Sequence, residues 1–282
     1  MADSTHENRV LDYYDTHPIN EHQILEKLAL DGVDRQHLSE DVLKNYDQDH
    51  YGGVEANDVL AQLAGIDETT HVLDVCAGMG GPARYLAHNY GCQVTGVDLT
   101  ESRVDGAKKL TAMVGLEDRV TFVQGNALQN PFADRTFDVV VSQEAFCHVP
   151  DKPTLISECI RVLKPGGRMA FTDIVEHPTI TDAARGELVT GMAQVELGTL
   201  SGYQSLLENE GCTIISADDL SASWTAILVE RLAMYRSLKN QTVDRFGADH
   251  FQKWDDAYSF FVGLFETGDL GGGRFLAQRN IS

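Results

Sequence analysis

Residues 72–86 read VLDVCAGMGGPARYL: an apolar run, a turn holding Gly78, Gly80 and Gly81, and a segment of helical character from Ala83 onward. A strand that turns through glycines into a helix lets backbone approach a ligand with no Cβ in the way. Alone the pattern is ambiguous. Gly78, Gly80 and Ala83 satisfy the G-x-G-x-x-A spacing of dinucleotide-binding turns, and Asp98 follows Gly78 by 20 residues. Two residues argue against a dinucleotide. Asp74, at the end of the strand, sets a carboxylate where a doubly charged pyrophosphate would lie, and Pro82 removes an N–H where a phosphate needs donors.

Outward from this turn, short β-branched runs alternate with amphipathic segments, the rhythm of βαβ units around a parallel sheet. The expected strands are His71–Val75, Gln93–Val97, Val120–Val123, Phe137–Val141 and Arg168–Ile174. Helices are expected through Ala83–Asn89, Glu101–Val114 and Pro153–Leu163, the last stopped by Lys164-Pro165-Gly166-Gly167. Before the core, Asn8 to Ala64 is helix-prone and shows no clear strand. After it, Ala183 to Leu207 and Trp224 to Leu238 read as helical, with a short strand at Thr213–Ser216. Gly271-Gly272-Gly273 breaks the chain before a last strand, Arg274–Gln278. The expected division is a helical cap or lid (1–65), a cofactor-binding core (66–178), a substrate cap (179–250) and the final strands of the core sheet (251–282).

S-Adenosylmethionine suits the glycine turn better than a dinucleotide. It carries a sulfonium and an ammonium, has no phosphate, and presents ribose hydroxyls. Asp74 then faces a cation, and Asp98 can accept both hydroxyls of one ribose through its two carboxylate oxygens. Asn126 and Ala127 follow the third strand, where a polar side chain can meet the adenine edge, and Gln143 and Glu144 follow the fourth. All lie at carboxyl ends of strands, the rim where open α/β sheets bind ligands.

The segments VLDVCAGMGG, VTGVDLT, GNALQNPFADRTFDVVVSQEAFCHVPD and RVLKPGGRMAFTDI resemble, in order and spacing, the class I S-adenosylmethionine-dependent methyltransferases across residues 66–178. The resemblance implies an α/β fold, a Rossmann-like seven-stranded sheet whose last strand is antiparallel, carrying a helical cap. It also implies S-adenosyl-L-methionine as cofactor, held by Tyr51, Asp74, Ala77, Gly78, Gly80, Asp98, Leu99, Asn126, Ala127 and Gln143. Two positions depart from the family pattern. Cys76 stands where the loop usually has its first glycine, which asks for a negative φ there, and Asn126 stands where an aspartate is common.

Tyr51-Gly52-Gly53-Val54-Glu55-Ala56 and Ser142 to His148 resemble segments of phosphoethanolamine methyltransferases, placing Glu144 on their acidic residue and His148 on their catalytic histidine. Their phosphate-gripping Arg and Tyr fall near Val195 and Leu197, which cannot hold a phosphate. Glu196–Tyr203 with Asp219-Leu220-Ser221 is instead similar to sarcosine and dimethylglycine N-methyltransferases. The expected activity is therefore N-methylation of a small amine or amino acid. An O-, C- or S-methyltransferase of a secondary metabolite and a non-catalytic cofactor-binding module stay open. By pKa His148 is the natural base, and Glu144, four residues earlier, shares its face if the segment is helical. Tyr46, Tyr51, Tyr203 and Trp224 are candidates for a cation–π shelter. Arg103 reads as a solvated helix residue, and the charges of the first sixty residues as a wet helix face.

The composition limits the partners. The chain has 282 residues, 22 Lys+Arg against 43 Asp+Glu and a net charge of −21, so nucleic acid meets repulsion. The first eighteen residues have no apolar core and no run is long enough to span a bilayer, so the expectation is a cytoplasmic chain. Five cysteines without a CxxC pair suggest reduced thiols and no metal. The expected partner is a small-molecule methyl acceptor, with a homodimer left open.

Overall fold

The computed structural model describes residues 4–15 and 19–281; Met1–Asp3, Thr16–Pro18 and Ser282 lie outside the described residues. Helices α1 (Ser4–Asp15), α2 (Glu21–Leu30), α3 (Glu40–Leu43) and α4 (Gly53–Ala64) precede strand β1 (His71–Val75). There follow α5 (Gly81–Tyr90), β2 (Gln93–Asp98), α6 (Glu101–Met113), β3 (Val120–Gln124), β4 (Phe137–Gln143), α7 (Lys152–Val162) and β5 (Leu163–Glu176). The chain closes with α8 (Asp182–Met192), α9 (Leu200–Asn209), β6 (Cys212–Asp219), α10 (Ser221–Ser237), α11 (Lys239–Phe246), α12 (Ala248–Thr267) and β7 (Leu270–Arg279).

The seven strands form one sheet in the order β3-β2-β1-β4-β5-β7-β6, with β7 antiparallel to both neighbours. Strand order reverses between β1 and β4, and the crevice at their carboxyl ends is where such sheets take ligands. Leu73, Val75 and Val140 pack on one face against Leu155, Ile156 and Cys159 of α7 and Leu207 of α9. Val72, Val94 and Val139 pack on the other against Leu60 of α4, Leu86 of α5 and Val104 of α6. Burial on both faces explains why the central strands are continuous apolar runs rather than alternating ones.

Helix boundaries follow local chemistry. Asp151 caps α7 by accepting from Thr154 N–H, with Pro153 just inside the start, and Gly65 ends α4 in the left-handed region. Lys164–Gly167 do not form a simple loop. Leu163 already pairs with Phe137, the four residues bulge out, and pairing resumes at Val139 with Arg168.

Three boundaries differ from expectation. The stretch 179–250 is not cap throughout, because α9 and β6 belong to the sheet and bury Tyr203, Leu207 and Cys212 in its core. The stretch 251–282 opens with a long helix whose Phe261 and Phe265 pack with Trp224 and Leu228 of α10, so α12 belongs to the cap. Gly271–Gly273 do not break the chain; they pair with Val175, Ile174 and Asp173 inside β7. A Cβ on Gly271 would strike Ser221, and one on Gly272 would strike Trp224, so the glycines let the start of α10 lie directly on the strand. The N-terminal lid also divides. Helix α1 and residues 45–51 cover the sheet crevice, while Ile24, Leu28 and Leu43 form a separate cluster with Met79 and Leu110. Among the described residues no helix is long and apolar enough to cross a membrane.

Candidate active site

A cavity of about 590 Å³ opens at the carboxyl ends of β1 to β4, roofed by α1, the 45–51 strap, and residues of α10 and α12. All twelve residues expected from sequence line it: Tyr51, Asp74, Ala77, Gly78, Gly80, Asp98, Leu99, Asn126, Ala127, Gln143, Glu144 and His148.

The glycine turn supplies the floor. Cys76, Gly78 and Gly80 have φ of 61°, 53° and 75°, so Cys76 is not in the negative-φ conformation its residue type favours. A left-handed non-glycine residue costs roughly 1–2 kcal/mol. The turn is held by Ala77 N–H to the Val97 carbonyl at 3.0 Å and Gly80 N–H to the Ala77 carbonyl at 2.8 Å. Gly78 faces open space, whereas a Cβ on Gly80 would run into the Phe122 ring.

Two carboxylates stand over this floor. Asp98 accepts from Gly78 N–H through Oδ2 at 2.8 Å and from Thr100 N–H through Oδ1 at 2.9 Å, leaving lone pairs on both oxygens. Burial raises its pKa against these two bonds. Asp74 is buried, its Oδ2 has no hydrogen-bond partner, and burial with the neighbouring Asp98 pushes it up to about 7. An orphaned acidic oxygen on a cavity wall calls for a cation or a donor from the occupant. A glycine cradle, a two-oxygen acceptor and an orphaned carboxylate oxygen fit S-adenosylmethionine and disfavour a pyrophosphate.

Asn126, Gln143 and Glu144 line the cavity and also bond to the segments that roof it. Asn126 accepts from Leu128 N–H and donates to Glu7 of α1 at 2.8 Å, so its amide ties the lid to the rim. Gln143 donates to His50 Nδ1 at 3.1 Å, and His50 donates through Nε2 to Gln48 at 2.9 Å. Burial lowers His50 to about 4, so it is a neutral link in the strap. Glu144, at φ 46°, does not share a helical face with His148, because the local 3₁₀ turn spans Phe146–His148 only. Its carboxylate accepts from Tyr51 N–H and from the Thr172 hydroxyl, each at 2.6 Å, and burial pushes it up to about 7. Glu144 is thus the anchor of the Tyr51 strap rather than a partner of His148.

His148 donates from Nδ1 to the Ala193 carbonyl at 3.2 Å, which leaves the lone pair on Nε2. Ala193 reaches this position in the left-handed region at φ 53°. His6 of α1 donates to the His148 carbonyl at 2.8 Å, and the Tyr14 ring meets the imidazole edge-on at 5.4 Å. Burial keeps Tyr13 and Tyr14 neutral by raising both well above the ordinary phenol range.

Of the four aromatic candidates, Tyr46 and Tyr51 line the cavity. Tyr203 is in the core with its hydroxyl on Asp173 at 2.6 Å, and Trp224 stands behind Tyr51 with ring centroids 5.0 Å apart. The sequence reading missed Tyr13, Tyr14, Tyr258, Gln194 and Arg231 on the wall. Trp254 and Tyr258, four residues apart on α12, gave a helical-face signal; the others come from segments with no motif. Arg103 is not solvated. It is buried with its guanidinium 4.8 Å from the Tyr14 ring. Nor are the early charges all wet: Arg84 is buried with Asp47 at 2.7 Å and Glu40 at 3.6 Å, pinning the strap to α5.

Fold and cavity define a Rossmann-like binder of a cationic, phosphate-free nucleoside. Residues 73–171 match the family model described as a methyltransferase domain. The chain is 32% identical over 203 residues to the 27-O-demethylrifamycin SV methyltransferase of Amycolatopsis mediterranei (strain S699), covering 69% of this chain and 73% of the relative. It is 33% identical over 195 residues to the glycine/sarcosine/dimethylglycine N-methyltransferase of Actinopolyspora halophila, covering 68% of this chain and 34% of that one. The cyclopropane synthase MmaA2 from Mycobacterium tuberculosis shares the fold, with a TM-score of 0.77 at 15% identity over 97% of this chain and 98% of that one. The chain spans 34% to 59% of the length of four of the curated relatives it matches. It belongs to the S-adenosylmethionine-dependent methyltransferases, and S-adenosylmethionine is the family's cofactor.

Proposed function

We propose that this protein transfers a methyl group from S-adenosylmethionine to the nitrogen of a small amine or amino acid of the sarcosine or dimethylglycine type. The observation that carries the reading is one cavity running from Asp74, Gly78 and Asp98 to the imidazole of His148, whose Nε2 lone pair is set by the Nδ1 bond to Ala193. S-Adenosylmethionine, when bound, supplies an electrophilic methyl on a sulfonium.

The rest falls to this chain. Asp98 would accept the ribose hydroxyls, Asp74 would meet a cationic group, and the glycine turn would form the floor beneath them. An ammonium acceptor must lose a proton before its nitrogen can attack, and His148 Nε2 is the base that takes it. Tyr13, kept neutral by burial, gives the methylated cation a ring face, whereas the Tyr14 and Tyr51 rings already carry the guanidinium groups of Arg103 and Arg231. Lid α1 excludes water, and alignment of the two reactants is worth roughly 7–11 kcal/mol.

A second reading, transfer to an oxygen of a larger acceptor, is favoured by the apolar breadth of the outer wall, where Val10, Met192, Met234 and Trp254 gather. Labelled S-adenosylmethionine is offered with sarcosine, dimethylglycine, phosphoethanolamine and a phenol panel, and product mass is read. Methylated sarcosine or dimethylglycine is the expected result, with His148→Ala lowering turnover roughly 10²–10⁴-fold at unchanged cofactor affinity. Transfer to phenols alone, or a fully active His148→Ala protein, overturns the reading.

A further inference from the structure

The cavity wall carries two guanidinium groups and no lysine among the described residues. Arg103 belongs to the cofactor end: it sits on the first turn of α6, five residues after Asp98, against Tyr14 and 3.9 Å from Asp49. Arg231 belongs to the opposite end. It comes from α10 of the cap, half-buried, with its guanidinium 5.0 Å from the Tyr51 ring and one amino group donating to the His50 carbonyl at 2.7 Å.

Among the described ion pairs Arg231 has no acidic partner, although the chain holds 43 acidic residues against 22 basic ones. Glu144 is near enough to feel its charge but bonds through its two oxygens to Tyr51 N–H and the Thr172 hydroxyl. The guanidinium also bonds to the Tyr258 hydroxyl, so both of its hydrogen-bond partners are uncharged, and an anion entering the cavity would complement it. A planar fork of donors matches a carboxylate edge-on. A dianionic phosphate calls for more positive charge than one guanidinium carries, and among the described residues no second cation lines the cap side of the cavity.

Resting on the methyl-transfer reading above, we propose that Arg231 is the anion site of the acceptor pocket, so that the acceptors are small amines bearing a carboxylate. The carboxylate docks on Arg231 and the amine end lies toward His148. Selectivity for amino acids over amino alcohols and amino esters then comes from one cap residue. The strap that Arg231 touches, Tyr51 with His50, is the one Glu144 anchors, so occupation of Arg231 also steadies the roof.

Protein loaded with S-adenosylhomocysteine is titrated calorimetrically with sarcosine, sarcosine methyl ester, glycolate and phosphoethanolamine, using wild type, Arg231→Gln and Arg231→Lys. Sarcosine is expected to bind at least tenfold more tightly than its ester. Arg231→Gln should abolish that preference, and Arg231→Lys should restore part of it. S-Adenosylhomocysteine affinity and unfolding temperature should stay near wild type. Equal binding of acid and ester, tighter binding of phosphoethanolamine, or no binding by either acid overturns the proposal. So does an Arg231→Gln protein that weakens S-adenosylhomocysteine as much as sarcosine, since that is the mark of a purely structural clamp. If glycolate binds through Arg231 and methyl transfer goes only to oxygen, the anion site stands while the N-methylation reading falls.

Discussion

Replacing Asp98 by Asn tests the cofactor end at nearly constant volume. In the wild type both carboxylate oxygens accept a backbone N–H, from Gly78 at 2.8 Å and Thr100 at 2.9 Å, and each keeps a lone pair for a ribose hydroxyl. A carboxamide has one acceptor oxygen and one amino group, so one of the two backbone donors must face another donor. Loss of a single charge-assisted hydrogen bond to the occupant costs about 1.5–3 kcal/mol, a weakening of roughly 10- to 150-fold. The displaced backbone N–H adds about 1–3 kcal/mol to the loss of folding stability, because a buried donor is left unmade. Isothermal titration with S-adenosylhomocysteine reads the first quantity and urea unfolding the second. Affinity within twofold of wild type would refute the assignment of Asp98 to the ribose. Weakening with no change in unfolding would refute the claim that its two backbone bonds hold the turn.

Arg84→Met strips the only guanidinium from the buried Glu40 and Asp47 pair, and urea unfolding should show a loss of about 3–5 kcal/mol; a loss below about 1 kcal/mol would deny the triad its structural weight. Burial raises Glu144 from its ordinary value of 4.5 to about 7, so the native state keeps its proton across that window and stability falls as pH rises through it. Glu144→Gln keeps an acceptor for Tyr51 and a donor for Thr172, so the difference in unfolding free energy between the two proteins should change between about pH 4.5 and 7, by no more than ~1.4 kcal/mol per unit; parallel curves would contradict it. Deleting residues 1–15 removes the contacts of α1 to Asn126 and His148 while leaving the Ile24 and Leu28 cluster, and should speed cofactor dissociation and slow turnover in a folded protein; wild-type kinetics would show that α1 is no lid.

Much of the fold was legible because the signals were local. Val72–Val75, Val94–Val97 and Val139–Val141 are apolar runs that only a two-sided sheet can bury, and Gly78 and Gly80 mark a turn no other residue makes cheaply. The cofactor rim followed, since Asp74, Asp98 and Asn126 must come to one edge once their strands lie side by side. Errors gathered where meaning depended on distant partners. The glycines at 271–273 look like a breaker until Trp224 and Ser221 are seen to occupy their Cβ positions. Arg103 looks solvated, and Glu40 and Asp47 look wet, until Tyr14 and Arg84 close over them.

The sequence by itself determined the strand rhythm, the glycine turn, the nature of the cofactor and the polar residues that line the cavity, because each rests on residues within one strand–turn–helix unit. The tertiary structure decided what those polar groups do. Glu144 and Gln143 hold the Tyr51 and His50 strap, His148 takes its tautomer from a carbonyl 45 residues away, and Arg231 arrives from the cap to face them. Hydrogen-bond partners, burial and the pKa values they set depend on which segments meet across the sheet edge. No local pattern encodes that meeting, since packing of the whole chain chooses it.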